Sequence, residues 1–434
     1  MARPRIVIVG GGFAGYHCAR RLSRLARKQA DITLINPTDY FLYFALLPQV
    51  TGGLLDPRRV AVSIPSTLKH VALRLGRVSD INLDEHRVVF VDPEDRTGEL
   101  PYDRLVIAAG SVNRLLPVPG VVDFAHGFRG IPEALYLRDH LTRQVELAES
   151  TDDPHERAAR LTFVVVGAGY TGTEVLAHGE RLTSSVLRSR PALAGANSRW
   201  LLIDTANRVL PGLDPRLSAS TERVLRRRGI DIRLGCSVQE ATADGVRLSD
   251  GSFVATRTLV WCVGVRPDPL VDGLGLPMRE GRLVVDEYLA VPGCPEVYAC
   301  GDAAAVSDVT RPGHLTAMTA QHAQRQGYLV ANNIAAGYGH GERKSYKHRD
   351  LGFVVDLAGV SAAADPFGVP LSGPPALAAT YGYHLLALPA NRTRVAADWV
   401  LGALTGRQAV QVGLVRGGEV PLDTKTPEHP VRHG

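Results

Sequence analysis

The sequence predicts an α/β protein with two Rossmann-like dinucleotide-binding domains, the second inserted in the first, and a smaller C-terminal domain. Two segments carry this prediction, because each reads as a buried strand, a turn with three glycines and a helix. These segments are IVIVGGGFAG, which starts at Ile6, and FVVVGAGYTG, which starts at Phe163. A third observation is that later strand-and-glycine segments occur where each fold would need a closing strand.

The first copy begins with the apolar run IVIV, which is typical of a strand covered on both faces. Gly10, Gly12 and Gly15 follow it, and the helical spacing of Cys18 and Leu22 comes next. The first glycine permits a tight turn, the second lets a pyrophosphate approach, and the third lets the helix pack on the strand. The helix N-terminus stabilises the phosphate charge, so we predict that this turn binds a dinucleotide.

The second copy repeats every element, with Gly167, Gly169 and Gly172 between the strand FVVV and a helix. A duplicated turn without a ligand is the less favoured interpretation, because both copies retain all three glycines. The next strand, WLLID, ends at Asp204, whose carboxylate would accept from ribose hydroxyls and repel a 2′-phosphate. Asp204 therefore favours NADH over NADPH, whereas the first copy has the uncharged Asn36 at this position.

Three further segments set the order of the domains. PYDRLVIAAGS (Pro101 to Ser111) and TLVWCVGVRP (Thr258 to Pro267) look like closing strands of the two folds, and VYACGDAA ends in Gly301 and Asp302. This order resembles that of the pyridine-nucleotide flavoprotein oxidoreductases, from Arg5 to about Gly337. The resemblance implies FAD in the first fold, with Asp302 at its ribityl and pyrophosphate portion, and NADH in the second. A hydride could then pass between the two nucleotides.

Other segments narrow the resemblance to type II NADH dehydrogenase, an NADH:quinone oxidoreductase of a single subunit. They are FLYFALLPQVTGG, Glu174 and TAQHAQRQG, and the segments YKHRDLGFVVDLAG and GYHLLALPANRTRVAADW resemble the family's membrane-facing domain. The resemblance implies that Gln321 lies beside the flavin at the quinone pocket and that Glu174 lies near the nicotinamide and the flavin.

The chain departs from that family at two places on the acceptor side. Arg325 stands where the family tends to have a second glutamine, although Gln324 and Gln326 flank it. The segment PPALAATYGYH also lacks the tryptophans that usually precede the C-terminal histidine. The nature of the electron acceptor is therefore less well predicted than the reduction of the flavin by NADH.

Glu174 and Gln321 are the predicted catalytic residues. Two alternatives stay open at this point: Glu174 could merely complement the dipole of its helix, and Gln321 could be an ordinary polar helix residue. The residues predicted to bind FAD are Gly10, Gly12, Phe13, Ala14, Gly15, Asn36, Val78, Ala109, Gly110, Gly301, Asp302, Ala320 and Gln321. The residues predicted to bind NADH are Gly167, Gly169, Tyr170, Thr171, Gly172, Glu174, Asp204 and Gly264.

The predicted domains are residues 1–150 and 282–346 for FAD, 161–281 for NADH, and 347–434 for a C-terminal membrane-facing or interface domain. Within the last, the segment 393–404 has an apolar stripe of Val395, Trp399 and Ala403, with Val400 and Leu404 adjoining, between flanking arginines at 392, 394 and 407. The stripe fits a helix in a membrane interface, or one packed on the flavin domain or across a dimer interface. The residues from Glu419 onward are predicted to be mostly disordered.

The composition excludes several other classes of protein. The 434 residues carry a net charge of +5, and the five cysteines form no C-x-x-C pair, which argues against a disulfide framework and a dithiol redox centre. No metal-ligand spacing, nucleic-acid module or apolar run of about 20 residues is present. We expect a cytoplasmic protein, free or peripheral on the cytosolic face of the cell membrane, that forms a homodimer.

The function that we predict is that of an FAD-dependent oxidoreductase, which takes a hydride from NADH and passes electrons to a quinone. One alternative is a soluble NAD(P)H-dependent flavoprotein reductase for a ferredoxin or another protein acceptor. The other is an NADH-responsive, redox-sensing binding protein in which turnover is incidental.

Overall fold

The computed structural model describes residues 3–348, 351–407 and 409–423. Its described residues fall into two compact units, the first drawn from 1–42, 61–112 and 265–350 and the second from 43–60, 113–264 and 351–434. The boundaries of the three predicted domains stay predictions. The disorder predicted from Glu419 onward concerns mainly residues outside those described.

Eleven α-helices occur in the described part of the chain, and they are numbered here in chain order. They are α1 (Phe13–Leu25), α2 (Leu47–Thr51), α3 (Ile64–Thr67), α4 (Val121–Phe124), α5 (Ile131–Glu149), α6 (Pro154–Arg160), α7 (Tyr170–Arg188), α8 (Pro215–Arg227), α9 (Ala320–Ala336), α10 (Pro374–Ala387) and α11 (Arg392–Thr405).

The strands are numbered in the same way. They are β1 (Arg5–Val9), β2 (Asp31–Asn36), β3 (Tyr40–Leu42), β4 (Ala61–Ser63), β5 (Ala72–Leu75), β6 (Arg77–Asn82), β7 (Arg87–Val91), β8 (Thr97–Pro101), β9 (Arg104–Ile107), β10 (Ser111–Asn113), β11 (Ala125–His126), β12 (Thr162–Val166), β13 (Arg199–Asp204), β14 (Asp231–Leu234), β15 (Val238–Thr242), β16 (Gly245–Leu248), β17 (Phe253–Ala255), β18 (Thr258–Trp261), β19 (Val265–Pro267), β20 (Met278–Arg279), β21 (Arg282–Val284), β22 (Ala290–Val291), β23 (Cys294–Ala299), β24 (Ala304–Ala305), β25 (Val354–Asp356), β26 (Ala362–Ala364) and β27 (Leu371–Ser372).

The first unit is built on a six-stranded sheet in the order β22-β23-β9-β1-β2-β5. Strand β1 pairs in parallel with β2 and β9, and β23 pairs in parallel with β9. The run from Ile6 to Val9 is buried, as an apolar strand between two parallel neighbours requires. Helix α9 approaches α1 closely because Gly327 has no side chain: a Cβ there would lie 2.1 Å from the carbonyl oxygen of Ala14.

The second unit contains a five-stranded sheet in the order β11-β18-β12-β13-β14, in which every pair is parallel. All five residues of β12 are buried, and Phe163 on this strand stacks on Trp200 of β13 with ring centroids 4.7 Å apart. The mainly parallel first sheet, whose edge strand β22 is antiparallel, and the parallel second sheet confirm the predicted α/β class with dinucleotide-binding folds.

The C-terminal residues of the second unit form a small antiparallel sheet, β25-β26-β27, together with α10 and α11. Ala376 of α10 packs with Ala362 and Ala364 of β26 in a core of small side chains. Small residues let the helix lie close to the sheet. Among the described residues, no helix combines the length and the apolar character that crossing a membrane would require.

Candidate active site

The first glycine turn lies between β1 and α1. Gly10 has a φ of 92°, and a Cβ there would lie 2.4 Å from the carbonyl oxygen of Ala108. A Cβ on Gly15 would lie 1.8 Å from the carbonyl oxygen of Gly10, so the helix begins directly on the turn. In contrast, a Cβ on Gly12 would meet no atom within 4 Å. This open side, at a helix N-terminus without a side-chain cap, fits a pyrophosphate.

The strand after this turn ends at Asn36, which is buried. Its Oδ1 accepts a hydrogen bond from the Gly11 N–H at 2.7 Å, and its Nδ2 donates to the carbonyl oxygen of Thr38 at 2.9 Å. Asn36 thus holds the glycine turn against the end of β2. Val78, which was also predicted at this site, is partly buried on β6, where it pairs with Phe90 of β7.

The chain returns to this turn from two later segments. Gly110 has a φ of 76°, and Ser111 donates its hydroxyl to Oδ2 of Asp302 at 2.7 Å. A Cβ on Gly301 would lie 3.0 Å from the Cβ of Ala14 in α1. The structure therefore brings three predicted FAD segments together, although they are far apart in sequence. All thirteen predicted FAD residues lie in the first unit.

The second glycine turn, between β12 and α7, repeats this geometry. Gly167 has a φ of 109°, and a Cβ on Gly172 would lie 1.9 Å from the carbonyl oxygen of Gly167. Gly169 has open space where its Cβ would be. Asp204 ends β13, where its Oδ2 accepts from the Ala168 N–H at 2.5 Å and its Oδ1 from the Ala206 N–H at 2.7 Å.

The remaining predicted NADH residues lie near the same turn or at the end of a strand. Tyr170 starts α7 and stacks on Phe353 with centroids 5.2 Å apart, and Thr171 follows it. Gly264 lies beyond the end of β18, with a φ of 96°. All eight predicted NADH residues lie in the second unit, separate from the FAD set.

Glu174 is buried in the first turns of α7, and its Oε1 accepts a hydrogen bond from the Asp356 N–H at 2.8 Å. Burial raises the pKa of Glu174 well above its usual value, and the nearby Asp356 carboxyl adds to this rise, while the Asp356 N–H opposes it. A raised pKa weakens the negative charge with which Glu174 could complement the dipole of α7.

Gln321 lies in the first turn of α9, where its Oε1 is 2.8 Å from Nε2 of His348. Since a glutamine oxygen only accepts, His348 donates this hydrogen bond. Arg325 is half-buried on the same helix, whereas Gln326 is buried and has a structural role. Its Oε1 accepts from the Gly301 N–H at 2.8 Å, so its amide is engaged with the turn before Asp302.

The cysteines form no disulfide in the described part of the chain. All five are free thiols, and burial raises the pKa of Cys300 and of Cys262 to about 12. Thiols with such pKa values are poor nucleophiles at neutral pH. Among the residues that the structure describes, no group of histidine, cysteine, aspartate or glutamate side chains could hold a metal ion.

Sequence reasoning did not single out several residues that contact a predicted site residue or the partner of one. They are Gln49, His178, Ser111, His348 and Asp356. Gln49 and Asp356 are 307 positions apart, and Ser111 and Asp302 are 191 apart. No local spacing connects such pairs, so the sequence did not show which residues would meet, although Gln49, Ser111, His348 and Asp356 lie in segments that carry the family resemblance.

Comparison with known proteins supplies the family context. The model of the pyridine nucleotide-disulphide oxidoreductase family matches residues 4–327. The type II NADH:quinone oxidoreductase Ndh of Mycobacterium tuberculosis is 32% identical over 424 residues, covering 94% of this chain and 89% of that protein. The demethylphylloquinone reductase NdbB of Synechocystis is 29% identical over 412 residues, covering 92% of this chain and 96% of that protein. The solved structure of NDH2 from Plasmodium falciparum in complex with NADH shares the fold, with a TM-score of 0.86 at 20% identity. The match covers 94% of this chain and 100% of that chain.

Proposed function

Because the chain belongs to the type II NADH:quinone oxidoreductases of the pyridine nucleotide-disulphide oxidoreductase family, we propose that it transfers electrons from NADH to a quinone through FAD. The observation that carries the proposal is the presence of two equivalent nucleotide turns in one chain, each with an open side at a helix N-terminus. FAD, when bound, supplies the two-electron carrier that accepts a hydride from NADH and reduces the quinone.

The residues of the first unit fit FAD. The open side at Gly12 and the N–H groups of Phe13, Ala14 and Gly15 would hold the pyrophosphate. Asp302, oriented by the Ser111 hydroxyl, would accept hydrogen bonds from the ribityl chain. The chain's contribution here is to bind and orient the cofactor, which can lower the barrier by several kcal/mol through positioning.

The residues of the second unit fit NADH. Each oxygen of the Asp204 carboxylate already accepts one backbone N–H, and each can accept one further hydrogen bond from a ribose hydroxyl. The negative charge would repel the 2′-phosphate of NADPH. We therefore expect NADH to be preferred.

The proposed binding of the quinone depends on Gln321. The hydrogen bond from His348 engages the Gln321 Oε1, which turns the amide Nε2 away from His348. That NH₂ group would donate to a quinone carbonyl oxygen. His348 would thus be a positioning residue for Gln321.

Attachment to a membrane surface is supported by exposed apolar residues on α10 and α11. Leu386, Val400, Leu401 and Leu404 are exposed by 77%, 59%, 55% and 78%. The predicted stripe itself lies differently: Val395 is buried, and Trp399 donates to Oε1 of Gln49 at 2.7 Å. The neighbouring face of α11, and not the whole stripe, would therefore contact lipid.

The membrane proposal can be tested by co-sedimentation with anionic phospholipid vesicles. Leu401→Glu and Leu404→Glu should reduce the bound fraction, whereas Val122→Glu, at an apolar residue exposed by 44% on α4, should not. We also propose that the protein lies on the cytosolic face of the cell membrane and forms a homodimer. Sedimentation of the detergent-free protein tests the second point, because a dimer has twice the mass of the chain.

Stopped-flow measurement of the two half-reactions tests the proposed function. NADH should reduce the yellow protein, and a quinone should reoxidise it with a higher kcat/KM than ferredoxin or oxygen. Gln321→Ala should slow reoxidation by quinone and leave reduction by NADH nearly unchanged. Gln239→Ala, at an exposed glutamine on β15, serves as the control. Equal slowing of both halves by Gln321→Ala, or faster turnover with ferredoxin, would contradict the quinone assignment.

A further inference from the structure

A buried cluster of polar side chains surrounds Glu174 in the second unit. It consists of Gln49 on α2, Glu174 and His178 one turn apart on α7, and Asp356 at the end of β25, and we call it the Asp356 cluster. Their exposed fractions are 2%, 9%, 0% and 4%. Two carboxyl groups in such a desolvated place cannot both ionise at low cost, so their surroundings decide which one does.

The hydrogen bonds of Asp356 favour its ionised form over that of Glu174. Trp399 Nε1–H can only donate, so the Gln49 amide oxygen faces it at 2.7 Å, and Gln49 Nε2 donates to Asp356 Oδ2 at 2.7 Å. His178 Nε2 lies 3.1 Å from the same oxygen. The Ala358 N–H donates to Oδ1 at 2.8 Å. Each oxygen of the Asp356 carboxyl therefore accepts from a nitrogen that can only donate, Gln49 Nε2 or the Ala358 N–H, and such donors favour the ionised form.

Glu174 is in the opposite situation. Its Oε1 accepts from the Asp356 backbone N–H at 2.8 Å, so its carboxyl is held beside the residue whose side chain carries the charge. Burial works to raise the pKa of Asp356, but His178 and the N–H donors outweigh burial, and this pKa lies below its usual value. The pKa of Glu174 is shifted the other way, upward, by burial and by Asp356. Divergent environments of this kind assign acid and base roles.

Several further groups contribute to the electrostatic environment of the cluster. Arg228, after α8, donates to the carbonyl oxygens of Leu357 and Ala358, and Arg407, after α11, donates to the carbonyl oxygen of Gly52. Burial lowers the pKa of His178 below its usual value, against the attraction of Asp356. The titratable and charged groups that interact with Asp356 or with these arginines are Glu180, Arg181, Arg228, Tyr381, His384 and Arg407.

We propose that Asp356 is a positioning residue for Glu174: its backbone N–H orients the Glu174 carboxyl, and its buried negative charge keeps that carboxyl protonated. Glu174 then enters turnover as an acid. This inference rests on the proposed function, because NADH + H⁺ + quinone → NAD⁺ + quinol consumes one proton, which an acid can supply and a carboxylate cannot. His178 and Gln49 act through Asp356 by holding its charge in place.

Infrared spectroscopy can test this proposal without turnover. The C=O band of the protonated Glu174 carboxyl is identified by its loss in Glu174→Gln and is followed as a function of pH in the FAD-containing protein, without NADH or quinone. In the wild-type protein the band should persist well above pH 4.5, the usual pKa. In Asp356→Asn, which keeps the backbone N–H and removes the charge, the midpoint should fall by at least about one pH unit, a tenfold change in proton affinity.

The matched control is Asp139→Asn, because Asp139 is also a buried carboxylate of the second unit but accepts from Val412 and Gly413 N–H groups. Asp139→Asn should change the Glu174 midpoint by no more than a few tenths of a pH unit.

Kinetics provides a second measurement. In Asp356→Asn, the pH at which the rate of flavin reoxidation begins to fall on the alkaline side should be lower, by the same amount as the midpoint. An unchanged midpoint in Asp356→Asn would overturn the proposal. If that variant does not fold, a wild-type midpoint near 4.5 would overturn it as well. The two infrared midpoints do not depend on which acceptor the enzyme uses. An error in the proposed function would therefore appear only in the acceptor kinetics.

Discussion

The two nucleotide turns of this chain share a backbone but differ in the side chain that closes them. The Cβ clashes that exclude larger residues are nearly equal, at 1.8 Å for Gly15 and 1.9 Å for Gly172. At the end of the next strand, Asn36 accepts from the Gly11 N–H and Asp204 accepts from the Ala168 N–H, in corresponding positions. One structural hydrogen bond is thus made by a neutral amide in one unit and by a carboxylate in the other.

Either side chain can hold the turn, so the turn itself does not require the charge at this position. We therefore expect that charge to act on the choice of nucleotide. A second contrast lies two residues beyond the third glycine, where α1 has His17 and α7 has Glu174. Both are buried, and both are shifted toward their neutral forms, since burial lowers the pKa of His17 to about 3 and raises that of Glu174.

The largest effect is expected from adding a methyl group to the third glycine of one turn. Gly172→Ala should slow flavin reduction by NADH roughly 100-fold, because a shift of about 1 Å in the turn misplaces the nucleotide, and FAD should be retained. Gly15→Ala should instead cause loss of FAD. Flavin absorbance and stopped-flow reduction measure the two outcomes. Gly273→Ala is the control, since a Cβ there meets no atom within 4 Å. Loss of FAD in Gly172→Ala would show that the two turns are not independent.

Exchanging the strand-end residues should have a smaller effect. Asp204→Asn retains an acceptor for the Ala168 N–H, as Asn36 does in the first unit, but removes the charge. The preference for NADH over NADPH should then fall about tenfold, since charge-assisted hydrogen bonds are about twice as strong as neutral ones. The ratio of kcat/KM for the two nucleotides measures it. Asp204→Ala should also narrow the preference for NADH, but it should lower the unfolding temperature as well because the hydrogen bond to the Ala168 N–H is lost. An unaltered ratio in both variants would refute a role of Asp204 in selecting the nucleotide.

The smallest effect concerns the pH dependence of stability, which should have opposite signs in the two units. The unfolded-state pKa of His17 lies above its folded value, so its contribution is complete above pH 6.5 and is lost as the pH falls toward 3. The folded pKa of Glu174 is raised, so its contribution is present below pH 4.5 and is lost as the pH rises through the folded pKa. Each contribution to the free energy of unfolding can change by up to about 1.4 kcal/mol per pH unit.

Urea unfolding at several pH values measures these slopes. Relative to the wild-type protein, Glu174→Gln should become more stable as the pH rises above 4.5, and His17→Asn as it falls below 6.5. Parallel slopes for the two variants would contradict the contrast between the two helices.

Much of the fold could be predicted from local patterns. The buried runs before Gly10 and Gly167 and the three-glycine spacings are local features, and they correctly indicated two parallel-sheet nucleotide folds. Asp204 was also found at the end of its strand, as expected. The C-terminal helix was less well predicted: its boundaries agree closely, but the buried side of Val395 and Trp399 could not be told from a lipid-facing one by apolar spacing alone.

The sequence by itself determined the two glycine turns, because a tight turn, an open backbone and a close helix start depend on neighbouring residues. Only the tertiary structure decided the electrostatic environment of Glu174. Its partner Asp356 is 182 positions away, and Gln49, which holds Asp356, is 307 positions from it. A pKa depends on desolvation and on the charges that folding brings within a few ångströms, and no local pattern records those distances.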